Sequence, residues 1–98
     1  MLRLSLICLM FVSPAWADLE ESCAYPVGTG PGEYCVGYFA GAVEQAGYTC
    51  NGLDAGTIGY MTMDMLNEQP AIRREISKTE PLEIVRTAMY VRFRGACD

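Results

Sequence analysis

No histidine occurs anywhere in the 98 residues. The usual general base, the commonest metal ligand and every Cys-His or Ser-His nucleophile pair are thereby excluded. Between Asp18 and Glu68 there is no lysine or arginine either, against eight acids; from Gln69 onward, six basic residues accompany four acids. No Cys-x-x-Cys pair is present, which argues against a four-cysteine zinc site, because structural zinc usually takes its ligands in such close pairs. The one long apolar run, Leu4 to Val12, falls short of the roughly 18 to 20 residues that cross a bilayer. Strand patterning is absent as well, which leaves helices.

What is there begins with an export signal. Arg3 precedes the apolar run, and Ser13-Pro14-Ala15-Trp16-Ala17 follows it, with Ala15 and Ala17 small enough for a signal peptidase pocket. Residues 1–17 are thus expected to be removed, and Cys8 with them, leaving a single domain over 18–98 with no membrane segment. Six basic against twelve acidic residues give that domain a net charge of −6. Nucleic acid and anionic membrane surfaces are poor partners for such a chain. An acidic first half and a mildly basic second half would steer a basic partner towards the first, or are simply the solvated surface that keeps an exported protein soluble.

Helical periodicity organises the rest. Cys35, Phe39, Ala42, Val43 and Ala46 recur at three- and four-residue steps and predict a central helix over 33–46, with Glu33 near its positive end and Gly47 stopping it. Gly37 and Gly41 share a face, and glycine inside a helix costs roughly 1 kcal/mol. The spacing therefore suggests a neighbouring segment packed backbone-close on that face. Residues 25–32, rich in Gly and Pro, read as a loop. Asp54 is the natural N-cap of a second helix over 55–68, with Ile58, Met61, Met65 and Leu66 as its apolar stripe, methionines that fill a core more readily than they form a binding surface. Pro70 closes that helix, one or two helical turns follow over 71–76, and a third helix over 81–94 presents Leu82, Val85, Ala88, Met89 and Phe93. The fold class is all-α: a small disulfide-stapled bundle of three main helices plus short helical turns.

Four cysteines remain after export, Cys23, Cys35, Cys50 and Cys97, an even number that argues for two disulfides. A helix over 35–47 would hold Cys35 and Cys50 roughly 18 Å apart, whereas linked Cα atoms sit about 5.5 Å apart. In an up-down-up bundle the ends of the first and third helices meet, which pairs Cys50 with Cys97 and leaves Cys23 to reach Cys35.

Chemistry has little to work with. Ser22 and Ser77 lack an activating base, and paired carboxylates, with Glu33, Glu44, Asp54 and Asp64 as the candidates, would need a deep cleft. We expect no enzyme, no cofactor and no metal, and a function in binding.

The run Cys35-Val36-Gly37-Tyr38-Phe39-Ala40-Gly41, then Tyr48-Thr49-Cys50, then Glu68-Gln69-Pro70 after a helix, then a cysteine at the very end, resembles the Rap/Tai family of small periplasmic immunity proteins. The resemblance covers almost all of residues 18–98, and Cys23 matches an earlier cysteine common among members. Asn51, Gln69 and Ala96 depart from the residues frequent at those places, proline, histidine and proline. The resemblance implies a periplasmic protein that binds a peptidoglycan amidase delivered by type VI secretion and inhibits it by occluding its active site; a homodimer is also open. As the contact we single out Tyr48, Asn51, Gly52, Leu53 and Asp54, because an exposed Tyr and Leu beside a tight turn can anchor an interface. The bland alternative is that they merely cover the Cys50 staple. From other classes come a periplasmic acid-stress chaperone of the Hde type, a poorer match that lacks the lysine-rich tails, and an orphan exported helical interaction domain.

Overall fold

Thr29 adopts an extended conformation, and its hydroxyl accepts the Gly32 N–H at 3.1 Å, so the Gly-Pro-Gly that follows is the first turn of a helix and not the end of a loop. Proline is pre-shaped for that position. In this computed structural model, which describes residues 19–98, the principal helix α2 therefore spans Gly30–Ala46 and starts three residues before the expected one. The Glu33 carboxylate accepts the Gly28 N–H at 3.3 Å, and Gly47 ends the helix with φ 65°. The expected signal peptide 1–17 lies outside the described residues.

A short α1, Leu19–Ser22, leads into Cys23. After α2 comes α3, Ala55–Glu68, with Asp54 accepting the Thr57 N–H at 2.7 Å. Gln69 closes α3 and opens α4, Pro70–Arg73, so Pro70 breaks one helix by starting the next. Arg73 then reaches back, its guanidinium donating to the Leu66 carbonyl at 2.7 Å, a helix-end carbonyl that otherwise takes only the long bond of 3.4 Å from the Gln69 N–H. A 3-10 turn over Ile76–Lys78 occupies part of the expected polar connection, and α5 spans Pro81–Arg92. Phe93 is extended (φ −127°, ψ 136°), so α5 ends two residues earlier than periodicity suggests and frees the tail to turn back towards residue 50. The fold is all-α, three main helices and two short ones; among the described residues there is no strand, only isolated bridges around Cys50.

The core lies where α2, α3 and α5 converge: α3 packs most extensively on α2, and α5 rests mainly on α3 with a smaller contact to α2. Phe39, Val43, Ile58, Met63, Met65, Leu66, Ile84, Val85, Ala88 and Met89 fill it. The buried methionines are core filler, as expected. Several assignments of the stripes need correction. Ala46 is exposed and Ala42 half-buried, whereas Val36 and Ile84 belong inside; Leu82, Met61 and Phe93 are half-buried at the edge. Nothing approaches the Gly37–Gly41 face, so the expected close packing is not there. It occurs instead at Gly59 of α3, where a Cβ would lie 2.5 Å from the Val36 carbonyl oxygen and 3.0 Å from the Ala40 nitrogen.

Disulfides join Cys23 to Cys35, Cα–Cα 5.2 Å, and Cys50 to Cys97, Cα–Cα 4.0 Å, the two pairs that the helix geometry gives. The first fastens α1 to the first turns of α2. Asn67 strengthens that corner by donating to the Cys23 carbonyl at 2.6 Å. The second fastens the α2–α3 connection to the C-terminal tail.

Candidate functional site

Residues 47–54 are an eight-residue connection that the C-terminal tail locks from outside. The Asn51 N–H donates to the Ala96 carbonyl at 2.8 Å, and the Asp98 N–H to the Thr49 carbonyl at 2.9 Å. Around that bracket Cys50 and Cys97 are covalently joined, and the Thr49 hydroxyl donates to the Asp98 carboxylate at 2.7 Å. The chain then reverses through Cys50-Asn51-Gly52-Leu53, with the Leu53 N–H donating to the Cys50 carbonyl at 3.0 Å and Gly52 at φ 82°. A positive φ at the third turn position suits glycine. The outcome is a short, braced projection with Asn51 and Gly52 exposed at its tip.

Two of the residues singled out for contact are not on that tip. Tyr48 is only 7% exposed and sits in the core, with the Arg86 guanidinium carbon 5.5 Å from its ring centroid. Leu53 is half-buried against the same core. The expectation of an exposed Tyr and Leu is thus corrected: both pack inward against the core. The physical reason is that a residue following a helix C-cap can fold back onto the helix it left: the Tyr48 N–H donates to the Val43 carbonyl at 3.1 Å. Asn51, Gly52 and Asp54 are exposed, as the turn reading requires.

Sequence reasoning missed Tyr90. It is 90% exposed on α5, next to the groove that Tyr48, Arg86, Met89, Phe93 and Cys97 form under the tail. Its position one residue past the apolar Met89 was the available signal, since a helix that buries residue 89 turns residue 90 towards the outer face. Tip, tail and Tyr90 lie at the Cys50–Cys97 end of the bundle.

The four candidate carboxylates have separate roles. Glu33 takes the Gly28 N–H, Asp64 holds Arg92 at 2.7 Å, Glu44 is exposed, and Asp54 caps α3. Glu33 and Asp54 line one groove, and Asp64 stands on its continuation past Tyr60 and Met61. Hydrogen bonds from Thr57, through its backbone N–H and its side chain, hold the Asp54 carboxyl below its usual 3.8. A general acid needs the opposite shift. Because the folded-state value is depressed, the stabilising contribution is complete above the unfolded value of 3.8 and is lost as the pH falls through the folded one. Asp54→Asn keeps a capping side chain without the charge. Its Tm is therefore expected to trail the wild type at about pH 6 and to converge with it by about pH 2, a comparison that thermal melts across that range make directly. Among the described residues no cluster of three or more Cys, Asp or Glu is placed to hold a metal ion.

No family model, curated protein or solved structure matches the chain.

Proposed function

We propose that this chain is an exported binding protein of the immunity type, which acts in the periplasm by seating the 51–52 tip in the cleft of a secreted peptidoglycan amidase and excluding its substrate. The observation that carries the reading is the braced projection: a turn held by a disulfide, two backbone hydrogen bonds and a side-chain bond loses little conformational freedom on binding. The pattern from Cys35 to Gly41 with its cysteine order supports the choice of an amidase as partner, and the two disulfides suit an oxidising compartment. The contact surface is Asn51 and Gly52, flanked by Asp54; Tyr48 and Leu53 support it from below.

The experiment is a pull-down at neutral pH from type VI-active cell extract, with the oxidised chain over 18–98 as bait. Recovery of one stoichiometric wall hydrolase whose activity the bait abolishes supports the proposal. Many unrelated clients captured only after acidification overturn it in favour of the chaperone. Within the complex, Asn51→Arg is expected to weaken binding by about tenfold or more, about 1.4 kcal/mol. Because Asn51 is exposed, its Tm should stay within about 2 °C of the wild type. Calorimetric titration paired with a thermal melt checks both, and unchanged affinity rules the tip out.

A further inference from the structure

Where the braced connection ends, a groove begins. Val36 of α2 with Tyr60 and Met61 of α3 make its apolar floor, and Glu33 and Asp54 stand on its rim. It continues past Tyr60 and Met61 to Asp64 and Arg92. Tyr60 keeps 40% of its surface exposed, although it sits beside the close α2–α3 contact at Gly59. Thr57, Met61, Asp64 and Glu68 follow one another at three- and four-residue steps, with Tyr60 three past Thr57 and four before Asp64, and so form a single outer face of α3.

The charge along this groove is one-sided. Glu33, Asp54 and Asp64 line it with a single cation, Arg92, which is already held by Asp64 at 2.7 Å and by the neighbouring Glu68 at 2.5 Å. No lysine or arginine occurs from residue 19 to residue 72 to relieve the excess.

We infer that this groove docks a basic amphipathic segment of a partner protein, with an apolar side chain on the Tyr60–Met61 floor and lysine or arginine side chains against Glu33 and Asp54. The inference rests on the reading of the chain as a binding protein and deepens it: the partner that receives the 51–52 tip carries cationic surface beside its cleft. Apolar floor and acidic rim have separate roles. The floor supplies affinity by removing Tyr60 and Met61 from water, and the rim supplies orientation and a fast encounter that salt slows.

The test uses a probe independent of any amidase. Isotope-labelled, oxidised 18–98 is titrated with a synthetic amphipathic helix of leucine and lysine, and with a matched peptide of leucine and glutamate. Saturable one-to-one shifts of the amides of residues 33, 36, 57, 60, 61 and 64 are expected with the lysine peptide alone. Tyr60→Ala and, separately, Glu33→Gln should each weaken that binding by about fivefold or more; Gln can still accept from Gly28, so the second variant tests charge with the helix start intact. Raising the salt from about 0.1 M to about 0.5 M should weaken it too. Shifts spread over all acidic residues without saturation, or an affinity that both variants leave unchanged, overturn the proposal. Concentration-dependent shifts of the same amides without peptide also overturn it, since a second copy would then be the occupant. The pull-down with an amidase can fail while this titration succeeds, and the reverse, so the two readings fall separately.

Discussion

The double replacement Cys50→Ala with Cys97→Ala is expected to cost about 4 kcal/mol, the larger loss of the two disulfides, because the ring it opens is the longer at a separation of 47 residues against 12. Loss of the Cys23–Cys35 ring should cost about 3 kcal/mol on the same loop-entropy reasoning. A domain of this size has roughly 4 to 12 kcal/mol in total, so a fall in Tm of about 20 °C or more is expected. Function should fail before the fold does. The Asn51–Ala96 and Asp98–Thr49 hydrogen bonds hold the projection only while the tail lies alongside it, and they face solvent at the chain end, where water competes for them. Cys97 is half-buried whereas Cys23 and Cys35 are 0% exposed, so a mild thiol reductant should open the Cys50–Cys97 bond first. Mass spectrometry of alkylated cysteines against reductant concentration, with a melt and a binding titration at each step, reads all three consequences. A drop of only a few degrees in the double variant would mean that core packing of Phe93 and Tyr48, and not the bond, fixes the tail.

Several features were legible because each rests on a local rule with one solution. Asp54 before an apolar period reads as a cap, Gly47 is free to take a left-handed conformation, and the length of α2 beyond Cys35 keeps that cysteine from Cys50, while the return of the third helix, which brings Cys97 to Cys50, selects between the two pairings left. Width was not legible. A three-and-four stripe describes a helix that touches one neighbour, but α5 lies against both α3 and α2, so its buried arc takes in Ile84 beside Val85, just as that of α2 takes in Val36 beside Cys35. The projection was half legible for a related reason. Asn51-Gly52 announces a tight turn in any context, whereas Tyr48 and Leu53 lie outside any periodic segment, and only the return of the tail determines that they face inward. The groove along Tyr60 could not be read at all from α3 by itself, since its other wall comes from Glu33 and Val36.

Gly59→Ala is expected to destabilise the domain by about 2 kcal/mol, against a helix-propensity gain of roughly 1 kcal/mol from the same substitution. The added methyl would sit 2.5 Å from the Val36 carbonyl oxygen and 3.0 Å from the Ala40 nitrogen, atoms of a helix backbone that cannot rotate away as a side chain can. The two helices must therefore separate, and the core between Phe39, Ile58 and Met63 loses contact as they do. Gly37→Ala and Gly41→Ala test the opposite case on α2. Both lie in open space with helical backbone, so each should raise stability by up to about 1 kcal/mol. Chemical denaturation of the three variants gives the order directly. If Gly59→Ala were neutral, the α2–α3 crossing would have to be looser than the structure has it, and the groove beside Tyr60, whose walls are these two helices, would lose its defined width. If Gly37→Ala or Gly41→Ala left stability unchanged or lowered but abolished partner binding in the pull-down, the bare α2 face would join the contact surface next to Glu33. Two glycines four residues apart thus distinguish a face that packs from one that is free, and that distinction was drawn on the wrong helix by spacing alone because the close approach needs only one glycine, on the partner.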